Sequence, residues 1–259
     1  MRIDEVVVVL DELAPLRLAA SWDNVGLLVR AERPVRRIGL CIDLTEAVLD
    51  ELEQHHVDLI VAYHPTIFKG LKRLVGRTPT ERVVMRVLRS GLHVHAPHTA
   101  LDAAAGGMGD WLAAALGPAE GVLPIEPRVD DPAVGMGRRG RLVATARLRD
   151  LIGPIKRHLG LPHLRIAGPL DHQVSTFAVC PGAGGELFER MGPVDLLLTG
   201  ELRHHDVLAR VGAGTAVVLT DHTNTERGYL PRFAERLRAA LPGIEVVVSS
   251  VDDDPLTVV

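Results

Sequence analysis

The sequence predicts an α/β protein made of two similar lobes. Three observations carry that expectation. Short, continuously apolar runs alternate with stretches of helical periodicity along the 259 residues, the pattern of strands buried in largely parallel sheets. The second half echoes the first: VDLIVAYH (57–64) returns as VDLLLTGE (194–201), HTALD (98–102) returns as HTNTE (222–226), and Cys41 and Cys180 occupy corresponding strands. The copies lie too far apart for a solenoid repeat, and a stretch rich in Pro, Asp and Gly over 117–140 reads as a linker between them.

Residues 3–13 read as an opening helix. WDNVGLLV is a turn plus a short strand, and RIGLCID is a strand. Residues 45–56 read as a helix with Thr45 as N-cap, its hydroxyl accepting an amide that has no partner in the first turn. VDLIVAYH is a buried strand, 79–90 a helix, GLHVHA a strand and 107–116 a helix. Past the linker, GRLVATARL is a strand, 148–159 a helix and STFAVC a strand, and GGELFERM opens a helix. VDLLLTG, TAVVLTD and IEVVVSS are strands, 205–211 a helix and 225–240 a long helix. Pro97 and Pro193 mark turns, since proline has no amide to donate to a helix. The lobes are taken as 1–120 and 121–259. If they face one another, ligands from both converge in one cleft.

Hydrophobic residues make up 47% of the chain, enough for a sizeable core. A formal net charge of −4 gathers no polyanion, and 3% aromatics leave few platforms for stacking single-stranded nucleic acid, so nucleic acid is not an expected partner. Two cysteines without CxxC spacing exclude a disulfide framework and a cysteine zinc site, and they suit a reducing compartment. The opening MRIDEVVVVLDEL is acidic and lacks the basic start of a signal peptide. No apolar run approaches the ~20 residues that span a bilayer. The expectation is a cytoplasmic protein without a membrane partner.

Four residues at the ends of apolar runs stand out as metal ligands: His64, Asp102, His222 and Glu226. Imidazole and carboxylate are donors that first-row divalent ions prefer, and in α/β sheets function gathers past the carboxyl ends of strands. His222/Glu226 and His98/Asp102 share the i, i+4 spacing that lets two side chains meet around one helical turn. One such pair means little, but two in matched positions with His64 mean more. Tyr63 is either a poor ligand or a structural tyrosine. His204 and His205 either orient ligands and move protons or stand in solvent. Asp23 and Asn24 of SWDNVG either form a turn or support the site. His93 and His95 alternate on a strand, so one of them can face the cleft. GMGRRG (135–140) matches GxGxxG but has a loop before it and a strand after it, which excludes a dinucleotide site. PGAGGE (181–186) has the better context for holding an anion on its amides, yet a tight turn explains it as well. The cysteines read as core residues.

SWDNVGLLV, a strand ending in His-Pro, HTALD, TGELRHHD, DHTNTE and a closing DDDP occur in this order over essentially the whole chain. Together they resemble the Nif-three-like dinuclear-metal family, whose members are often labelled GTP cyclohydrolase I type 2 homologues. The resemblance implies a two-lobed α/β protomer without the inserted domain of longer members, a toroidal homohexamer, and one or two divalent ions (Zn, Mn, Fe, Co or Ni) on His64, Asp102, His222 and Glu226. It implies hydrolysis of a nucleotide or related small molecule, such as opening of the GTP imidazole ring, with Glu201, His98 or His205 transferring protons. Where the family carries two adjacent histidines this chain has Tyr63 and His64, which removes one nitrogen ligand. The alternative is a non-catalytic hexameric metal-binding or regulatory scaffold.

Overall fold

The Val-Asp pairs that open VDLIVAYH and VDLLLTGE each use the aspartate to fasten the start of one buried strand to the start of its neighbour. In the computed structural model, which describes residues 1–257, Asp58 Oδ2 accepts the amides of Arg36 (2.8 Å) and Arg37 (3.1 Å). Asp195 Oδ2 does the same for Ser175 (2.9 Å) and Thr176 (2.8 Å). The device occurs once in each of two compact units: Met1–Leu101 together with the chain from Tyr229 onward, and Asp102–Gly228.

The first unit runs through α1 (Ile3–Leu13), β1 (Gly26–Val29), β2 (Arg37–Cys41), α2 (Glu46–Gln54), β3 (Leu59–Ala62), α3 (Pro79–Ser90) and β4 (His93–Ala96). The division falls inside α4 (His98–Ala103). The second unit then holds α5 (Met108–Ala114), β5 (Ala119–Leu123), β6 (Glu126–Pro127), β7 (Gly135–Met136), β8 (Arg138–Arg147), α6 (Leu148–Leu159) and β9 (Arg165–Ala167). It continues with β10 (Gln173–Ala183), α7 (Gly185–Glu189), β11 (Leu196–Glu201), α8 (His204–Gly212) and β12 (Ala216–Leu219). Helix α9 (Leu230–Ala240) and β13 (Glu245–Val248) return to the first unit.

The first sheet has the order β1-β4-β3-β2-β13, parallel except for β1. The second has the order β5-β8-β10-β11-β12-β9, with β10, β11 and β12 parallel and the rest antiparallel. Four strands repeat: β1-β4-β3-β2 in one unit is β9-β12-β11-β10 in the other. The echo in the sequence is therefore an echo in topology. One face of the first sheet carries α2 and α3, whose Val48, Leu49, Leu52, Val83 and Val87 pack on Ile60, Ala62 and Val94. Thr45 caps α2 by accepting the Val48 amide at 3.2 Å, as the sequence predicts. Thr78 caps α3 in the same way, with Pro79 in its first turn. In the second unit Phe188, Val207 and Val211 pack on Ala178, Leu197 and Val217.

The compact units part at 101/102 and at 228/229, because β13 pairs in parallel with β2 (Val246 with Ile38, Val247 with Gly39) and so completes the first sheet. The fold differs from the sequence reading in two places. The supposed linker is mostly strand: β5, the β6–β7 ribbon and the start of β8 occupy it, and Arg138 within it is 1% exposed. The expected helix over 225–240 begins only at Leu230, behind 3-10 turns at Thr223–Thr225 and Arg227–Tyr229. Pro231 fits the first turn of a helix and no later position. Gly228 lies so close to Trp111 that a Cβ would come within 2.8 Å of the indole. No helix among the described residues is long and apolar enough to cross a membrane.

Candidate metal centre

In the first unit β2 and β3 are parallel neighbours, so residues just past their carboxyl ends lie side by side. Those residues are Asp43 and His64, with His64 Nδ1 2.9 Å from Asp43 Oδ1. A carboxylate there keeps the proton on Nδ1 and puts the imidazole lone pair on Nε2, the usual arrangement of a metal-ligating histidine. The backbone bearing Asp43 is held by buried Asp252, which accepts the amides of Ile42 (2.6 Å) and Asp43 (3.4 Å). A cavity of about 520 Å³ opens here, lined by Asp43, Thr45, His64, Thr66, Thr80 and Val83 among others.

His98, just past β4, repeats the arrangement. Its Nδ1 is 2.8 Å from Asp23 Oδ1, while Asp23 Oδ2 accepts the amide (3.2 Å) and the hydroxyl of Thr99. Burial pushes the Asp23 carboxyl up, but the bonds from His98 and Thr99 outweigh it and hold the group below the ordinary aspartate value. His98 itself has a positive φ of 28°. Its ring lies 5.4 Å from that of Tyr63, 5.3 Å from that of His64 and 6.0 Å from that of Trp22. Tyr63 is 2% exposed, which suits a packing role against the two imidazoles.

The second unit builds its own candidate donors around glycines. Gly200 on β11 admits the turn after β12, since a Cβ there would lie 2.8 Å from both Asp221 O and His222 Cα. Thr225 Oγ1 accepts the Gly182 amide (2.7 Å) and bonds His222 O (2.7 Å), fastening this turn to the end of β10. His222 Nδ1 faces Glu201 Oε2 at 3.3 Å and Nε2 faces Glu226 Oε1 at 3.6 Å. Gly182, at φ +60°, has no side chain where a Cβ would fall 2.8 Å from His222 Nε2 and 2.9 Å from Glu226 Oε1. A small space beside one nitrogen and one carboxylate donor is thus kept open, and that donor set fits a first-row divalent ion. Asp102 is 6% exposed and Glu226 2%. Burial, with the charges of Asp102 and Glu226, pushes the Cys180 thiol up; both carboxylates therefore act on one neighbourhood, and the thiol stays an inert core group.

The structure brings Glu201, His222 and Glu226 together and sets Asp102 within electrostatic reach of the same sulfur. Glu201 sits as the carboxylate that orients His222. His205 stands exposed on α8, its ring 5.4 Å from that of His204, as a solvated pair would. His93 is structural: Nδ1 accepts the Ala31 amide and Nε2 donates to Arg33 O. His95 is 1% exposed with neither ring nitrogen bonded, and burial pushes it down to about 4. PGAGGE is neither a free loop nor a tight turn: Pro181–Ala183 end β10 and Gly185 opens α7, and the Gly182 and Gly184 amides are taken by the Thr225 and Thr199 hydroxyls. Sequence reasoning passed over Asp43 and Asp252. The position of Asp43 directly after RIGLCI is a signal that could have found it.

The fold is that of NIF3-type α/β proteins. The pattern of the Duf34/NIF3 (NGG1p interacting factor 3) family matches residues 1–255, and the chain belongs to that family. It is 40% identical over 257 residues to the Schizosaccharomyces pombe protein named Protein NIF3 homolog, covering 93% of this chain and 92% of the relative. It is 29% identical over 260 residues to a Clostridium perfringens protein named GTP cyclohydrolase 1 type 2 homolog, covering 98% of each. A Bacillus cereus protein related to NIF3 has the same fold, with a TM-score of 0.87 at 19% identity, covering 99% of this chain and 98% of that one.

Proposed function

We propose that this protein binds divalent metal and acts as a metal-dependent hydrolase of a nucleotide or related small molecule, as the name of its Clostridium perfringens relative suggests. The observation that carries the reading is the space beside His222 Nε2 and Glu226 Oε1 that only a glycine at 182 leaves open. The proposed ligands are His64, Asp102, His222 and Glu226; His64, His222 and Glu226 each offer one ligand atom of the right kind. Bound there, a divalent ion supplies a nucleophile at neutral pH by acidifying water.

The chain's own residues supply the rest. Asp43 and Glu201 orient His64 and His222 through Nδ1. Asp23 fixes His98 in the same way and leaves Nε2 as the nitrogen that takes or gives a proton, the role of a general base or acid. His98 is thus the preferred proton-transfer group, ahead of Glu201, which is engaged with His222, and His205, which is exposed. The test is metal content per protomer of natively purified protein by elemental mass spectrometry. One or two equivalents are expected in the wild type, with loss in Glu226→Ala together with loss of GTP hydrolysis. Turnover that survives loss of the metal sinks the hydrolase.

Tyr63 favours a second reading, a non-catalytic homohexameric metal-binding or regulatory scaffold. A phenol with an ordinary pKa near ~10 is a weak ligand, and here it packs against His64 and His98. Metal content near one in the wild type and near two in Tyr63→His, with no hydrolysis by the loaded wild type across a panel of nucleotides and phosphoesters, would select the scaffold.

A further inference from the structure

The chain has 2 Trp, 4 Phe and 2 Tyr, and all but two of these rings are in the core. The exceptions are Trp22, 63% exposed, and Phe68, 47% exposed, and they are neighbours. Their ring centroids lie 6.1 Å apart, edge to face, and the Trp22 ring lies 6.0 Å from that of His98, which in turn lies 5.3 Å from that of His64. Phe68, Trp22, His98 and His64 therefore form a continuous run of rings that leads from solvent to the candidate centre, entirely within the first unit.

The turn that carries the indole is fastened on either side of it: the Ala20 amide donates to Thr99 Oγ1 (3.0 Å), Asp23 grips His98 and Thr99, and Asn24 Nδ2 donates to Ile67 O (2.5 Å), which ties the Trp22 turn to the loop that carries Phe68. Large apolar rings left in water are unfavourable, and the fastened turn keeps the attachment points of both rings together beside His98. Exposed, pre-placed aromatics with a polar working group at one end suit a planar ligand, because every heteroaromatic base offers a π-face to stack.

We propose that Trp22 and Phe68 form the platform on which this protein stacks the planar heteroaromatic ring of its ligand, a purine or a fused-ring relative, beside His98 and His64. This deepens the hydrolase reading by naming the substrate class, but its test needs no turnover. Trp111 is 9% exposed, so the solvent-exposed part of the tryptophan emission belongs to Trp22. The full chain is titrated with guanosine, with ribose as the ring-free control, following Trp22 emission, and calorimetry gives the Kd. The expected result is saturable quenching by guanosine and none by ribose. The Kd should rise about tenfold or more in Trp22→Leu and in Phe68→Leu, recover in Trp22→Phe, and leave Tm and metal content unchanged. Absence of saturable quenching, or an unchanged Kd in both leucine variants, overturns the platform. So does a change of assembly size in those variants by light scattering, which assigns the pair to a contact between copies of the chain. Intact guanosine binding by a protein that hydrolyses nothing supports the platform while sinking the hydrolase.

Discussion

At the proposed metal site, Gly182 acts by what it lacks. At φ +60° it tolerates a backbone that a residue with a Cβ resists, and its missing Cβ leaves room beside His222 Nε2 and Glu226 Oε1. Gly182→Ala is expected to lower metal affinity at least tenfold, about 1.4 kcal/mol, and to destabilise the fold by about 1 kcal/mol through strain. Gly214→Ala separates the two effects. Gly214 also has a positive φ, 87°, but nothing lies within 4 Å of its Cβ position, so stability should fall while metal affinity holds. Calorimetric titration with Mn²⁺ or Zn²⁺ checks both variants, and equal losses of affinity would remove the steric argument. His222 and Glu226 were legible in the sequence because spacing alone makes them neighbours. Asp252 was not, because it is 209 positions from Asp43, whose amide it holds, and only the parallel pairing of β13 with β2 brings its segment back.

The supposed linker shows what an element can hide. Pro, Asp and Gly over 117–140 suggested an unstructured connection, and the residue that organises the stretch is a buried arginine. Arg138 Nη1 donates to Gly135 O and Gly137 O, both at 2.7 Å, and Nη2 reaches Ala104 O (3.2 Å) and Ala103 O (3.4 Å), while the guanidinium also pairs with Asp110. One side chain thus ties the β7–β8 corner to the end of α4, one residue past Asp102. Removing it takes the guanidinium away from the Gly135 and Gly137 carbonyls and leaves the Asp110 carboxylate with the Gly106 amide as a donor (2.6 Å) but without that cation beside it. Breaking a buried pair costs about 3–5 kcal/mol; Asp110 is 35% exposed, so Arg138→Met should lie near the lower end, about 3 kcal/mol. Arg138→Lys keeps the charge but lacks the planar fork and should recover only part of this. Urea midpoints at unchanged slope would measure it, and a Met variant as stable as wild type would show the network to be idle. The repeated β-α-β pattern was readable because buried parallel strands are short apolar runs. Of the antiparallel additions, β8 was readable as GRLVATARL, while β5 and β9 were harder to see, since their exposed and half-exposed residues carry no such run.

For the whole molecule, a half-buried carboxylate and a buried histidine shape different parts of the acid response. Glu51 clasps the segment after β13 through the Ser249 hydroxyl and the Ser250 amide (2.9 Å). Burial pushes its carboxyl up, but these bonds outweigh burial and bring it down to about 2. Because the folded value lies below the unfolded one, the stability Glu51 contributes is present above roughly pH 4.3 and disappears only as pH falls toward about 2. His95 acts earlier. It sits in β4 between β1 and β3, with Leu27 and Val61 as neighbours in register, and burial holds it near 4 against an ordinary value of 6.5. The unfolded chain therefore binds a proton in that interval that the folded chain refuses, so stability rises with pH between about 4 and 6.5 and is flat on either side for this group. The full effect is about 3 kcal/mol. Denaturation curves of chelator-treated protein at pH 7 and pH 4.5 should show most of that difference. His95→Phe, which keeps a buried ring, should remove the slope, while Glu51→Gln should leave it intact and flatten the response below about pH 4 instead. A His95→Phe variant with the slope of the wild type would mean that other groups govern the acid limb of stability.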